Sequence, residues 1–133
     1  MRVERKKQLS VYLENRAGAL AEICQIIADR SINLFAICAI DTVEEAVLRI
    51  VPEDPVEARS ALEAARFRPI ETEILLVELD NKPGATGAMA ARVASMGINI
   101  DYIYASAHPE EARAVLVLRT HEIDQAQGLL SRE

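Results

Sequence analysis

Two strings, Leu13-Glu14-Asn15-Arg16-Ala17-Gly18 and Leu79-Asp80-Asn81-Lys82-Pro83-Gly84, share one pattern of apolar residue, acid, Asn, base, small residue and Gly. An asparagine amide both donates and accepts, so it suits an α-amino group and a carboxylate together. Glycine permits a positive φ or a close backbone approach. Where such a turn runs directly into a helix, the first N–H groups have no intrahelical partner. With the positive end of the helix dipole, they can hold a carboxylate. The same residues also have a purely structural use, because Asn before a turn commonly caps its own backbone and Gly serves as a turn residue. Catalytic patterns are missing. No Ser or Cys sits in a nucleophile elbow, no Gly-rich phosphate loop is present, and no carboxylate pair with helical spacing lies beside a His.

The elements that must position these loops are duplicated. Gly18 and Gly84 are 66 positions apart, and so are Asn33 and Asn99, in Ser31-Ile32-Asn33-Leu34 and Gly97-Ile98-Asn99-Ile100. Glu45-Ala46-Val47-Leu48 returns as Arg113-Ala114-Val115-Leu116 at an offset of 68, which places two extra residues in the Ala107–Ala112 turn. In the first copy Leu9, Val11 and Leu13 alternate with polar neighbours as a strand. Leu20, Ile23, Cys24 and Ile27 then have helical spacing. Asn33–Ile40 and Ala46–Val51 read as a hairpin about a polar Asp41–Glu45 turn. Asp54-Pro55-Val56-Glu57 starts a helix, with Asp as cap, Pro at the first position and Glu able to return the cap bond. Val56, Leu62 and Ala65 would form its buried stripe. The second copy repeats the order, with a helix carrying Met89, Val93 and Met96, strands Asn99–Ser106 and Ala114–Arg119, and a last helix carrying Ile123, Ala126 and Leu130.

Of the 133 residues, 50% are hydrophobic and 27% charged, too apolar for a disordered tail and sized for one compact domain or two very small ones. The longest apolar runs fall far below the roughly 20 residues that cross a bilayer, so no membrane span is expected. Met1–Leu9 has no apolar stretch of a signal peptide, and a cytoplasmic protein is expected. A net charge of −6 and 4% aromatic residues argue against nucleic acid as a partner. Cys24 and Cys38 read as small buried hydrophobes in a reducing compartment, and His108 and His121 lack ligand spacing, so neither metal nor cofactor is expected.

Gln8-Leu-Ser-Val-Tyr-Leu-Glu-Asn-Arg-Ala-Gly-Ala-Leu20 with Ile26-Ile-Ala-Asp-Arg-Ser-Ile-Asn33 resembles the opening of an ACT domain. Leu76–Leu79, Asp80-Asn81-Lys82-Pro83-Gly84 and Ala94-Ser-Met-Gly-Ile-Asn99 are similar to the same opening, so the resemblance covers nearly the whole chain as a tandem pair. It implies an α+β, ferredoxin-like βαββαβ fold in tandem, side by side, with one continuous antiparallel sheet and four helices on one face. It implies a stand-alone, non-enzymatic regulatory sensor that binds a small ligand, most often an amino acid, between its two repeats. The ligand residues implied are Asn15, Gly18, Ala19, Leu20 and Asn33 in one site and Asn81, Gly84, Ala85, Thr86 and Asn99 in the other. Two working sites, one, or none are all compatible with the sequence. The first copy also resembles the regulatory subunit of acetolactate synthase, which leaves open a regulatory subunit or docking module of an amino-acid biosynthetic enzyme. It is similar to the serine-binding tail of phosphoglycerate dehydrogenase as well, but Leu13 stands where that family has His, so serine specificity does not transfer. Tyr102 and Tyr104 replace Ala36 and Cys38, either lining a pocket or filling a core.

The repeats are expected at residues 1–67 and 68–133. The second copy lacks a final strand of its own, so the long strands 2–13 and 68–79 are expected to be shared between repeats. If Leu9, Val11, Leu75 and Val77 face the helices, then Ile70, Ile74 and Leu76 point away, and the apolar open face predicts a homodimer.

Overall fold

The strand before Gly18 extends back to Arg2, past the alternating segment, so β1 (Arg2–Glu14) is far longer than its apolar centre. The computed structural model describes residues 1–42 and 45–132. After β1 come α1 (Ala19–Asp29), β2 (Leu34–Asp41), β3 (Glu45–Pro52) and α2 (Pro55–Ala64), then β4 (Ile70–Asp80), α3 (Ala85–Ser95), β5 (Tyr102–Ser106), β6 (Arg113–Arg119) and α4 (Ile123–Leu130). The strands form a sheet in the hydrogen-bonded order β2-β3-β1-β4-β6-β5. Val43 and Glu44, in the expected Asp41–Glu45 turn, lie outside the described residues, as does Glu133. The chain divides into two compact units, Lys7–Thr72 and Met1–Lys6 with Glu73–Glu133, so β1 contributes to both and β4 contributes to both.

In the unit Lys7–Thr72, antiparallel pairing sets Leu9 opposite Ile50 and Val11 opposite Leu48, and Ile37 and Ala39 of β2 meet the same two β3 residues. Leu9, Val11, Leu48 and Ile50 form a core with Ile23 and Ile27 of α1 and Ala58 and Leu62 of α2. Each fully buried Leu or Ile contributes roughly 1.5–3 kcal/mol relative to exposure. α2 begins where expected, with Pro55 in its first turn and the Asp54 carboxylate accepting from the Glu57 N–H at 3.0 Å. Glu57 does not return the bond, and its carboxylate takes the Arg30 guanidinium instead. The buried stripe is also displaced. Val56 is 78% exposed and Ala65 is exposed at the C-cap, whereas Ala58, Ala61 and Leu62 are buried. Capping at Asp54 fixes the helix phase, and in that phase Val56 points to solvent.

The unit Met1–Lys6 with Glu73–Glu133 repeats the arrangement. Leu75, Val77 and Leu79 of β4 pair with Leu118, Leu116 and Ala114 of β6, and Met89 and Val93 of α3 cover them together with Ala126 and Leu130 of α4. Met96, expected in the α3 stripe, is instead the C-cap residue and 59% exposed, because α3 ends at Ser95 before another turn can bring it inward. Arg5, near the start of the chain, donates to Gln127 Oε1 at 2.9 Å and pairs with Asp124 of α4 at 2.6 Å and Glu73 of β4 at 3.2 Å.

The opposite face is only partly open. Ile74, Val51 and Val117 are fully buried within a single chain, and so is Gln8. The expectation that Ile74 lies on an exposed face is therefore corrected, although Ile70 remains 53% exposed. Alternation identifies which residues share a face, not what covers it.

Candidate functional site

Both Asn-x-x-Gly strings form the same turn. Gly18 has φ 89° and ψ −12°, Gly84 has φ 86° and ψ −11°, and each is the N-cap of the helix that follows, α1 or α3. This left-handed conformation strains any residue with a Cβ. Space is not the constraint at Gly84, where an added Cβ would meet nothing within 4 Å. The Ala19 N–H bonds the Arg16 carbonyl at 3.3 Å, and the Ala85 N–H bonds that of Lys82 at 3.2 Å. No side chain caps either helix. The next amides, of Leu20 and Ala21 and of Thr86 and Gly87, thus have no helical carbonyl within reach. Leu20 is 44% exposed beside them.

The two asparagines are held differently. Asn15 Nδ2 donates to Asp41 Oδ1 at 2.7 Å, at the end of β2. Asn81 Nδ2 donates to the carbonyls of His108 at 2.7 Å and Glu111 at 2.9 Å, and its backbone N–H bonds Ala112 at 3.0 Å. The second asparagine thereby ties down the longer turn between β5 and β6. Those acceptors lie in the turn that is two residues longer than its counterpart in the first repeat.

Asn33 and Asn99 stand elsewhere. Asn33 precedes β2, with its Oδ1 accepting from the Leu34 N–H at 3.0 Å and its own N–H bonding Glu53 Oε1 at 3.2 Å. The eight residues of β2 span roughly 26 Å at about 3.3 Å per residue. Asn33 and the Asn15–Asp41 pair therefore sit at opposite ends of that strand. In the second repeat Asn99 Nδ2 donates to Asp101 Oδ1 at 3.2 Å, and its carbonyl accepts from the Thr120 hydroxyl at 2.7 Å. Tyr102 and Tyr104 are half-buried on β5 with stacked rings, centroids 6.4 Å apart.

A cavity of about 220 Å³ opens beside the second loop, and the motif reading missed most of it. Of the residues expected there only Ala85 lines it; Asp80, Lys82, Arg92 and Arg113 bring charge to its wall. Its sequence signal was the mismatch between repeats, where Ala88 stands for Glu22 and Arg92 for Ile26. Cys24 and Cys38 are free thiols, and both are only part-buried rather than buried as expected. Among the described residues, no group of three or more His, Cys, Asp or Glu side chains could hold a metal, and no helix is long and apolar enough to cross a membrane.

Residues 4–132 match the family model of the ACT domain pair. The chain is similar to the solved structure of protein BT0572 from Bacteroides thetaiotaomicron, with 30% identity over 97% of this chain and 88% of that one and a TM-score of 0.89. It shares its fold with the ligand-free regulatory subunit of aspartate kinase from Thermus thermophilus, with 20% identity over 98% and 95% of the two chains and a TM-score of 0.71. The corresponding subunit from Thermus flavus is 21% identical over 98% and 94%, with a TM-score of 0.67. No curated protein sequence matches the chain significantly.

Proposed function

This chain belongs to the family of ACT domain pairs, and from that premise we propose that it is a regulatory sensor, without catalytic activity, that binds a small ligand of the amino-acid class through its Asn-x-x-Gly loops. The observation that carries the reading is the pair of uncapped helix starts at Gly18 and Gly84, whose backbone donors suit an α-carboxylate. The first loop is the better equipped. Asn15 spends its amide N–H on Asp41 and keeps its carbonyl oxygen, so a carbonyl and a carboxylate stand together for an ammonium. Asn81 already serves two carbonyls, which leaves the second loop its backbone donors and one amide oxygen.

The proposed ligand residues are Asn15, Gly18, Ala19, Leu20 and Asn33, and Asn81, Gly84, Ala85, Thr86 and Asn99. Because Asn15 and Asn33 are separated by the length of β2, one small ligand does not touch both within a single repeat. We also infer that the duplication divides at residues 1–67 and 68–133, with strands 2–13 and 68–79 shared. A homodimer belongs to the same proposal. Phe35 and Ile37 are 44% and 46% exposed on β2, which ends the strand order, and such apolar exposure favours association. A strictly monomeric sedimentation profile at micromolar concentration would contradict it.

A thermal-shift panel of the twenty amino acids tests the sensor reading. A ligand at a hundred times its Kd adds about 2.7 kcal/mol. At least one amino acid should therefore raise Tm, and Asn15→Ala should diminish the shift. If none stabilises the wild type, the reading fails. The second reading, a regulatory subunit or docking module of an amino-acid biosynthetic enzyme such as acetolactate synthase, draws on the likeness to aspartate kinase regulatory subunits along nearly the whole chain. Co-purification of a stoichiometric catalytic chain would favour it.

A further inference from the structure

The cavity beside the second loop has no equal in residue chemistry at the corresponding positions of the first repeat. There Arg16 pairs with Glu22 at 3.1 Å and with Glu14 at 3.4 Å, so an ion pair crosses the space between loop and helix. In the second repeat Lys82 stands for Arg16 and Ala88 for Glu22, so the partner is deleted and the space opens. Three further exchanges act in the same direction. Met1 takes the position of Phe67, a slimmer side chain against the same part of the core. Arg92 takes that of Ile26, and Arg113 that of Glu45. What is acidic in balance in the first repeat has become cationic around a cavity in the second.

We propose that this cavity is a binding site, separate from the Asn-x-x-Gly loops' backbone donors, for a small monocarboxylate with a compact apolar tail and no ammonium group. Its floor is apolar, formed by Leu79, Ala85 and Met89, the first and last of them members of the core. Its wall carries three cations and one acid. Arg113 holds that acid, Asp80, at 2.6 Å, so no carboxylate is left over for an ammonium. Arg92 is anchored by the carbonyls of Leu129 at 3.0 Å and Arg132 at 2.8 Å, which fixes its guanidinium in place. The Lys82 side chain forms no ion pair or hydrogen bond among the described residues, and its ammonium is the group that meets the carboxylate. A volume of about 220 Å³ lies below the usual range for drug-sized ligands, roughly 300–1,000 Å³, and excludes a nucleotide.

The test titrates the full chain with isovalerate and, in parallel, with L-valine, which adds only the α-ammonium. Calorimetry and amide chemical shifts around Lys82 and Ala88 are the readouts. Isovalerate should bind at least tenfold more tightly than valine at this place. Ala88→Glu restores the first repeat's acid opposite Lys82, on an exposed helical position that tolerates Glu, and should weaken isovalerate at least tenfold. Lys82→Met should do the same without adding volume on α3, and it decides the matter if Ala88→Glu does not fold. The inference is overturned if isovalerate does not bind, if it binds equally well to both variants, or if valine competes equally at these residues. Amino-acid binding at the Asn15 loop is read separately by the melting panel, so either site can fail while the other stands.

Discussion

The side-chain amide of Asn81 donates to the carbonyl of His108 across 2.7 Å. Together with the bond to Glu111 it fastens the turn between β5 and β6 to the loop before α3. Asn15, its counterpart, has a single exposed bond to the Asp41 carboxylate. Equal motifs therefore carry unequal structural weight. Asn81→Ala should cost about 1–2 kcal/mol, two hydrogen bonds at a typical net value of roughly 1 kcal/mol each or slightly less, and Asn15→Ala less than 1 kcal/mol. Urea denaturation of both variants checks this, and equal losses would show that the turn is not held by Asn81.

Backbone strain at the loop glycines has its own signature. Gly18 and Gly84 lie at φ 89° and 86°, and nothing stands within 4 Å of a Cβ added to Gly84. The cost of Gly84→Ala should then be conformational alone, about 1–2 kcal/mol. Gly84→Asn should recover much of it despite the larger side chain, because Asn tolerates the left-handed region. If Asn proves worse than Ala in thermal melts, crowding rather than φ sets the requirement.

The duplication made most of the architecture legible, because an offset of 66, lengthened to 68 past the second hairpin turn, linked two loops, two hairpins and two pairs of helices. Individual helix faces were less legible. Val56, Leu62 and Ala65 looked like one stripe, yet the Asp54 cap sets a phase that buries Ala58, Ala61 and Leu62. Leu62→Ala should cost about 2–5 kcal/mol, as for other filled core sites. Val56→Ala, at 78% exposure, should stay within about 0.5 kcal/mol. The candidate site was legible only as a motif. Asn15 and Asn81 were found by identity, but the partners of Asn81 lie in a lengthened turn whose conformation no local pattern encodes. The cavity escaped because it is made by what one repeat lacks.

Acid should expose the β1 charge cluster. Lys6, by its hydrogen bond, and Arg2, by its charge, hold the Glu4 carboxyl below its ordinary value near 4.5 despite some desolvation. The folded value is depressed, so the stabilisation is complete above pH 4.5 and is lost as pH falls through the lower, folded value. Glu4→Gln should flatten the stability profile below pH 4.5 and leave its slope at neutral pH unchanged. Added salt should shrink the difference, because the Glu4 and Lys6 side chains both keep about a third of their surface in contact with solvent. A Glu4 titration midpoint at or above 4.5, read by carboxyl chemical shift, would refute the assignment.

Thr120 replaces Pro52 of the first repeat and is fully buried. Its hydroxyl donates to the Asn99 carbonyl at 2.7 Å and accepts from the Glu122 N–H at 3.3 Å, so one side chain joins the approach to β5 with the start of α4. Thr120→Val keeps the shape and deletes both bonds. It leaves a carbonyl and an N–H without that partner, at a cost of about 1–3 kcal/mol. Thr120→Ser keeps the hydroxyl and loses one methyl group, which costs roughly 1 kcal/mol. Denaturant unfolding should therefore rank wild type above Ser and Ser above Val. The reverse order would mean that Thr120 acts through packing, and that Asn99 is positioned without it.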